Sequence, residues 1–277
     1  MKKILLGITL LVAVVSILYT TPLIWRGATC LKPKQFIVQS NFYYSQTTKT
    51  YNWNNNKWDT LTTKKRVSSL NADIMFGYAP VKNLEVKVLI PVAAKSRDTF
   101  SSFGIGDIWL KSRYALITKG SILFTLSGAL VVPTADKNAN PQIDDRTVDF
   151  GLGGILQTKT YKNMIGHLRF GYWLMGKIND STKLGDMFEY FAKLDYKLTN
   201  TLTPFFTIFG TLQGKTKISG RTIDKTEKNR NNIQIGVIYK PSPILWIRPK
   251  ISAPILPMSK GASIAPYTIG LDFWVIK

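Results

Sequence analysis

The chain carries one histidine, His167, and one cysteine, Cys30, among its 277 residues. These two counts bound the reactive chemistry. A Cys-based zinc site or a two-histidine metalloprotease motif needs more of either residue, so both are excluded. A disulfide framework needs a second cysteine. A histidine with a serine two positions on would put base and nucleophile on one face of a strand, but Leu168 and Arg169 follow His167. Asp144 and Asp145 are adjacent carboxylates, and adjacency alone does not set one as acid and the other as base. Gly104-Ile105-Gly106-Asp107 lacks the third glycine of a phosphate loop and opens a strand rather than a helix. No catalytic residue, cofactor or metal is expected.

What remains is charge. Lys and Arg number 37 against 16 Asp and Glu, a formal net charge of +21. Such an excess suits nucleic acid, anionic lipid or acidic ligands, and its location has to decide between them. Part of it lies inside alternating segments, on the side opposite the apolar residues. Lys87, Lys111, Arg113, Arg169, Lys193, Lys197, Arg248 and Lys250 share that polar parity with Asp73, Glu85, Asp107, Asp149, Glu189, Asp195 and Asp272. The expected lumen is therefore charged but nearly balanced. Lys87, Lys111, Arg113, Arg169 and Arg248 are the expected selectivity residues.

The elements that must position these groups are β-strands. In Asp186 to Leu198, Phe188, Tyr190, Ala192, Leu194, Tyr196 and Leu198 take one parity, and Glu189, Lys193, Asp195 and Lys197 the other. A strand separates these sets, whereas a helix would scatter them. Eleven more segments read likewise, near 35–45, 67–78, 83–91, 106–117, 121–132, 147–158, 164–175, 202–212, 231–240, 244–253 and 262–277. The segment 202–212 is ambiguous, because its phenylalanines take both parities. Long connections at 46–66, 92–105, 133–146, 176–185, 213–230 and 254–261 alternate with short turns. That alternation along an even number of strands predicts an all-β fold, a transmembrane antiparallel up-and-down β-barrel of about twelve strands. Tyr78, Tyr114, Tyr196 and Tyr239 lie on the apolar parity beside short turns, where an interfacial girdle belongs. The barrel fills 31–277 as one domain. Inward small residues, including Ser127, Ala129, Gly151, Gly153, Gly171 and Gly236, are expected to leave room for a narrow pore. Nothing before the first strand is expected to plug it, and loops 46–66 and 213–230 are the candidates for doing so.

Residues 1–30 read as a signal peptide. Lys2 and Lys3 precede an uncharged apolar run from Ile4 to Leu18. An uncleaved anchor is the alternative, since Ile4 to Trp25 would almost span a bilayer. The basic excess sits in loops 46–66 and 213–230, as a funnel for anionic solutes, a contact for lipopolysaccharide phosphates or a solvated surface. Nucleic acid is not an expected partner, because the loop aromatics are few and the loop tip is Asn-rich.

Three stretches carry a family resemblance. Phe103 to Tyr114, Leu126 to Thr134 and Gly77 to Val86 resemble motifs of the outer-membrane transporter family assigned to the meta-pathway of phenol degradation. Ala135 stands where that family usually has Gly, and Lys277 trails the aromatic final strand. The resemblance implies a barrel of about twelve strands that passes hydrophobic or aromatic compounds across the outer membrane of a Gram-negative-type envelope. The expected function is a channel for passive uptake of small solutes. The rival expectation is a structural or surface-interaction barrel whose basic loops bind lipopolysaccharide or a partner.

Overall fold

The computed structural model describes residues 27–158 and 160–277. The expected leader therefore lies outside the described residues up to position 26. Twelve strands form the wall: β1 (Phe36–Gln46), β2 (Ser68–Tyr78), β3 (Leu84–Arg97), β4 (Ile108–Ile117), β5 (Ile122–Val132), β6 (Asp149–Thr158), β7 (Met164–Leu174), β8 (Met187–Tyr196), β9 (Leu202–Gln213), β10 (Lys228–Tyr239), β11 (Leu245–Pro254) and β12 (Thr268–Ile276). Each pairs antiparallel with its chain neighbour, and β12 returns to β1 with Phe42 opposite Leu271. The ring is closed and the wall has no free edge.

The wall turns apolar residues outward. Leu168, Leu152, Ile235 and Phe76 each keep more than half of their surface exposed. Gln39, Asn41, Asp73, Glu85, Thr125 and Asp272 inside are buried almost completely. This inverts a soluble protein and fits a hydrocarbon surround. Tyr78, Tyr196 and Tyr239 end their strands next to short turns, and Tyr114 pairs with Leu84 at the start of β3. All four rings lie exposed on the outer wall, as the girdle requires. The ambiguous β9 resolves with Phe205 and Phe209 buried inside and Phe206 and Ile208 outside.

Two expected boundaries differ. Residues 92–105 are not an open loop. β3 continues to Arg97, and Phe100–Ile105 folds back on it about a two-residue turn in which Asp98 has φ +55°. Small and polar residues there read as loop, yet backbone pairing continues beyond the apolar band. The last strand starts at Thr268, not 262. Pro266 lacks the N–H that a ladder needs, and Ser263–Ile264 pairs with Thr50 and Lys49 instead. The long loops are themselves folded. Lys49–Asn52, Lys57–Thr60 and Ser263–Ile264 make one small sheet, and Thr182–Lys183, Lys217–Ile218 and Arg221–Thr222 another.

A charge on the outer wall should be costly only in lipid. Leu168→Arg is expected to destabilise the barrel by about 2–4 kcal/mol in bilayers, as for Arg near a midplane, with Leu168→Ile close to neutral. Reversible urea unfolding in lipid vesicles measures this. Equal stability of the two variants would remove the lipid-facing assignment.

Candidate functional site

The lumen is built from paired charges. Lys87 bonds to Glu85, and Arg113 Nη1 lies 3.7 Å from the same carboxylate. Arg169 pairs with Glu189 across the β7–β8 ladder. His167 and Lys193 share Asp195 at 2.9 and 2.7 Å. Arg248 and Lys250 share Asp272, and Arg248 stacks on Phe205 and Trp274 at 5.7 and 5.1 Å. Lys111 sits 4.8 Å over the Trp109 ring, in the field of Asp73. All five expected selectivity residues are thus inward, but each is buried to within 9% of full burial.

The expected charge balance needs correction. Lys197 lies past the end of β8 and is exposed. Asp107 and Asp149 stand at the long-loop rim and accept backbone N–H bonds there. The middle of the lumen keeps Lys87, Lys111, Arg113, Arg169, Lys193, Arg248 and Lys250 against Asp73, Glu85, Glu189, Asp195 and Asp272. Among the described residues it is basic by two charges.

The expected free space is also largely taken. A Cβ on Gly151 would lie 2.8 Å from the Trp173 ring, on Gly171 2.8 Å from Glu189, and on Gly236 2.6 Å from Phe205. These glycines make room for large neighbours, not for a pore. Periodicity shows a missing side chain but not the cross-strand partner that fills the space.

At the short-turn end a strap fills the lumen, contrary to expectation. It is the segment 27–31, before β1. Arg113 Nη2 donates to Gly27 O and Thr29 O, and Thr125 Oγ1 donates to Ala28 O. Leu31 N donates to Glu85 Oε2 at 2.9 Å. Leu31 also packs with Ile37, Ala79 and Trp274, and Ala28 with Leu123 and Ile155. The Ala28-Thr29-Cys30 run loosely fits a small-x-small cleavage site. The same smallness lets it thread the lumen. Its bonds are backbone carbonyls to Arg113, which no side-chain pattern reveals.

At the long-loop end Gly106 and Asp107 stand between Phe100–Ile105 and β4. Asp107 Oδ1 accepts from Thr134 N and Ala135 N at 3.0 Å, and Oδ2 from Arg146 N at 2.8 Å. Thr134 Oγ1 donates back to Gly106 O at 2.7 Å. Two stretches that carried the family resemblance therefore staple the loop 133–148 to the wall. Ala135 contributes only its N–H, so glycine is not needed there. Asp144 completes the staple by accepting from Asp107 N. Asp107, Asp144 and Asp145 crowd within ligand distance of one another, but the bonds to Asp107 and Asp144 Oδ2 come from backbone N–H groups. Lys95 Nζ ties the same loop through Gln142 O and Ile143 O.

Beneath this loop lies a cavity of about 470 Å³. Trp109, Trp173, Phe191 and Phe209 supply apolar walls, and Arg169 with Glu189 contributes to its polar lining. Trp109 and Trp173 meet edge to face at 5.2 Å. Trp173 Nε1, Arg169 Nε and Arg169 Nη1 are buried without a protein partner.

No family model matches the chain, and no curated protein matches it. Solved structures do. The COG4313 outer membrane channel from Pseudomonas putida F1 superposes with a TM-score of 0.80 at 11% identity, covering 92% of this chain and 100% of that one. The beta domain of the Bordetella autotransporter BrkA gives 0.51 at 10% identity, over 87% and 99%. The KdgM porin in complex with disordered oligogalacturonate gives 0.50 at 5% identity, over 86% and 98%. At these identities the likeness establishes the fold, an outer-membrane β-barrel.

Two outcomes follow from this geometry. Asp272→Ala removes the carboxylate that Arg248 and Lys250 share and should cost about 3–5 kcal/mol, read by urea unfolding. A cost below 1 kcal/mol would mean water already solvates the pair. The second concerns the loop. Burial, then repulsion from Asp107 and Asp145, pushes Asp144 up to about 6. Burial first, then the Asp107 charge, also raises Asp145, against hydrogen bonds from Thr147 that lower it. A carboxyl raised in the fold binds its proton more tightly than in the unfolded chain. Loop stability should therefore rise as pH falls from above 6 towards 4. Amides of 134, 135 and 146 should be better protected from exchange at pH 5 than at 7.5, and Asp144→Asn should flatten the difference. Protection that falls on acidification would contradict this.

Proposed function

We propose that the chain is an outer-membrane channel for passive uptake of small solutes with an apolar or aromatic body. The observation that carries this reading is the aromatic cavity beneath the loop 133–148, inside the barrel and above the paired charges. A solute would enter from the loop side, rest against Trp109 and Trp173, and pass the charge clusters when the strap withdraws. The lumen excess of two cations favours anions. Lys87, Lys111, Arg113, Arg169 and Arg248 are proposed to set that preference through exchange of their carboxylate partners. The leader reading joins this mechanism. Cleavage after residue 30 would remove Gly27 to Cys30 from the lumen, and a chain that keeps them would open only when the strap withdraws.

A second reading rests on the exposed cations of the loop sheets. Lys57, Lys64, Lys65, Lys217, Arg221 and Lys225 are all exposed. They suit lipopolysaccharide phosphates, with the barrel as a structural platform. Neither reading involves nucleic acid or a cofactor.

Single-channel recording in planar bilayers under a salt gradient tests the proposal. Refolded protein retaining Gly27 should show brief, small, anion-preferring steps. Arg113→Ala removes two of the strap's three carbonyl anchors and should raise the open probability roughly tenfold, the shift expected from about 1.4 kcal/mol. Silence from folded wild type and variant alike would sink the channel reading. Lipopolysaccharide binding lost on neutralising the loop cations would then favour the second.

A further inference from the structure

The two rims of the barrel differ in their pattern of charge. At the long-loop rim exposed carboxylates, Asp59, Asp98, Asp136, Asp180 and Asp224, stand among the cations. The short-turn rim has none. Its segments 27–36, 77–84, 114–122, 160–165, 196–202 and 238–246 contain no Asp or Glu. They carry Lys32, Lys34, Lys82, Lys119, Lys162 and Lys197, all exposed. None of these lysines forms an ion pair among the described residues. Lys162 lies over the Tyr161 ring at 5.4 Å, and Lys240 over Trp246 at 3.9 Å. The lysines also share their turns with the aromatic girdle. Tyr78 precedes Lys82, Tyr114 precedes Lys119, and Tyr161 and Tyr196 adjoin Lys162 and Lys197, every ring exposed. Girdle rings sit at headgroup depth. A lysine on the same turn keeps its stem along apolar surface and its ammonium in that zone.

A groove of about 860 Å³ lies on the outer wall below this rim. It follows one cross-strand row. Tyr78 pairs with Val86, Val86 with Ser112, Ser112 with Gly128, and Gly128 with Leu152. Ser112 and Gly128 are small, so the wall is dented where they meet, between exposed apolar neighbours. The row starts at the turn that holds Lys82. Lys34 N donates to Ala79 O at 2.8 Å, which fixes Lys34 to the same turn.

We infer that the short-turn rim binds anionic phospholipid, with headgroup phosphates among the lysines and one acyl chain along the groove. Short turns of outer-membrane barrels face the periplasm, so the lipid belongs to the periplasmic leaflet. The surface asks for negative charge at headgroup depth with an apolar tail directly beneath it. A phospholipid of net negative charge supplies both. A soluble polyanion supplies only the first, and a zwitterionic lipid brings no net charge to a rim that has no acid of its own. The inference concerns the outer wall, so it stands whether or not the lumen conducts.

Electron spin resonance of lipids labelled on the acyl chain reads how many chains the protein wall holds. With the refolded full chain in phosphatidylcholine vesicles, labelled phosphatidylglycerol should associate about fivefold more strongly than labelled phosphatidylcholine. That is the ratio expected when roughly one lysine meets each headgroup. It should fall towards one between about 0.01 M and 1 M salt, as the Debye length shrinks from roughly 30 to 3 Å. Combining Lys34→Gln, Lys82→Gln, Lys119→Gln and Lys162→Gln should abolish the preference. Combining Lys57→Gln, Lys64→Gln, Lys65→Gln and Lys217→Gln in the loops should leave it intact. Circular dichroism checks folding, and Lys82→Gln with Lys119→Gln, expected to halve the preference, serves should the fourfold rim variant not fold. Ser112→Leu fills the groove and should also lower the preference; an unchanged value would overturn the seating of the chain there. Equal association of the two lipids, a preference that survives in the rim variant, or one lost in the loop variant would each overturn the assignment. Binding of soluble polyphosphate without any lipid preference would overturn it in favour of a polyanion.

Discussion

Everything in this structure depends on backbone hydrogen bonding where water cannot help. A wall that turns Leu168, Leu152 and Phe76 outward cannot leave N–H and C=O groups unpaired in hydrocarbon. Antiparallel pairing satisfies ten of the twelve strands easily. The first and last need each other, and the β1–β12 ladder, Ile37 to Ser45 against Thr268 to Ile276, supplies it. Closure then dictates the interior. Every second side chain points into a confined space, so polar and charged residues inside find partners among themselves.

They do so in clusters, each gathered on a carboxylate: Glu85, Glu189, Asp195 and Asp272. Two of these clusters hold two cations of full charge, which is where the lumen's excess arises. Buried pairs of this kind add little net stability compared with apolar packing, but losing one partner is costly. The glycines follow the same logic. Trp173, Glu189 and Phe205 each occupy the room a facing glycine gives up.

The two ends differ for a physical reason. At the short-turn end the strap offers carbonyls to Arg113 and Thr125, and charged donors bind carbonyls more strongly than neutral ones. At the long-loop end Asp107 offers a carboxylate to three backbone N–H groups. The first device is a short segment held by a few side chains. The second pins a loop over a cavity and gives that cavity a roof. The two ends of the lumen are therefore held by different chemistry, backbone carbonyls at one and a carboxylate at the other.

The sequence by itself determined the strand number, the outward girdle and the inward parity of Lys87, Lys111, Arg113, Arg169 and Arg248. Alternation with period two and the spacing of turns are local properties, so they can be read along one chain. It misplaced 92–105 and 262–267, where pairing continues or stops for reasons held by a distant strand or a single proline. It could not show the strap, the filled glycine gaps or the Asp107 staple. Each of these joins residues far apart in the chain, and the strap and staple do so through backbone atoms, which every residue type presents alike. Which wall opposes which is decided only when the ring closes, because closure converts order along the chain into position around a circle.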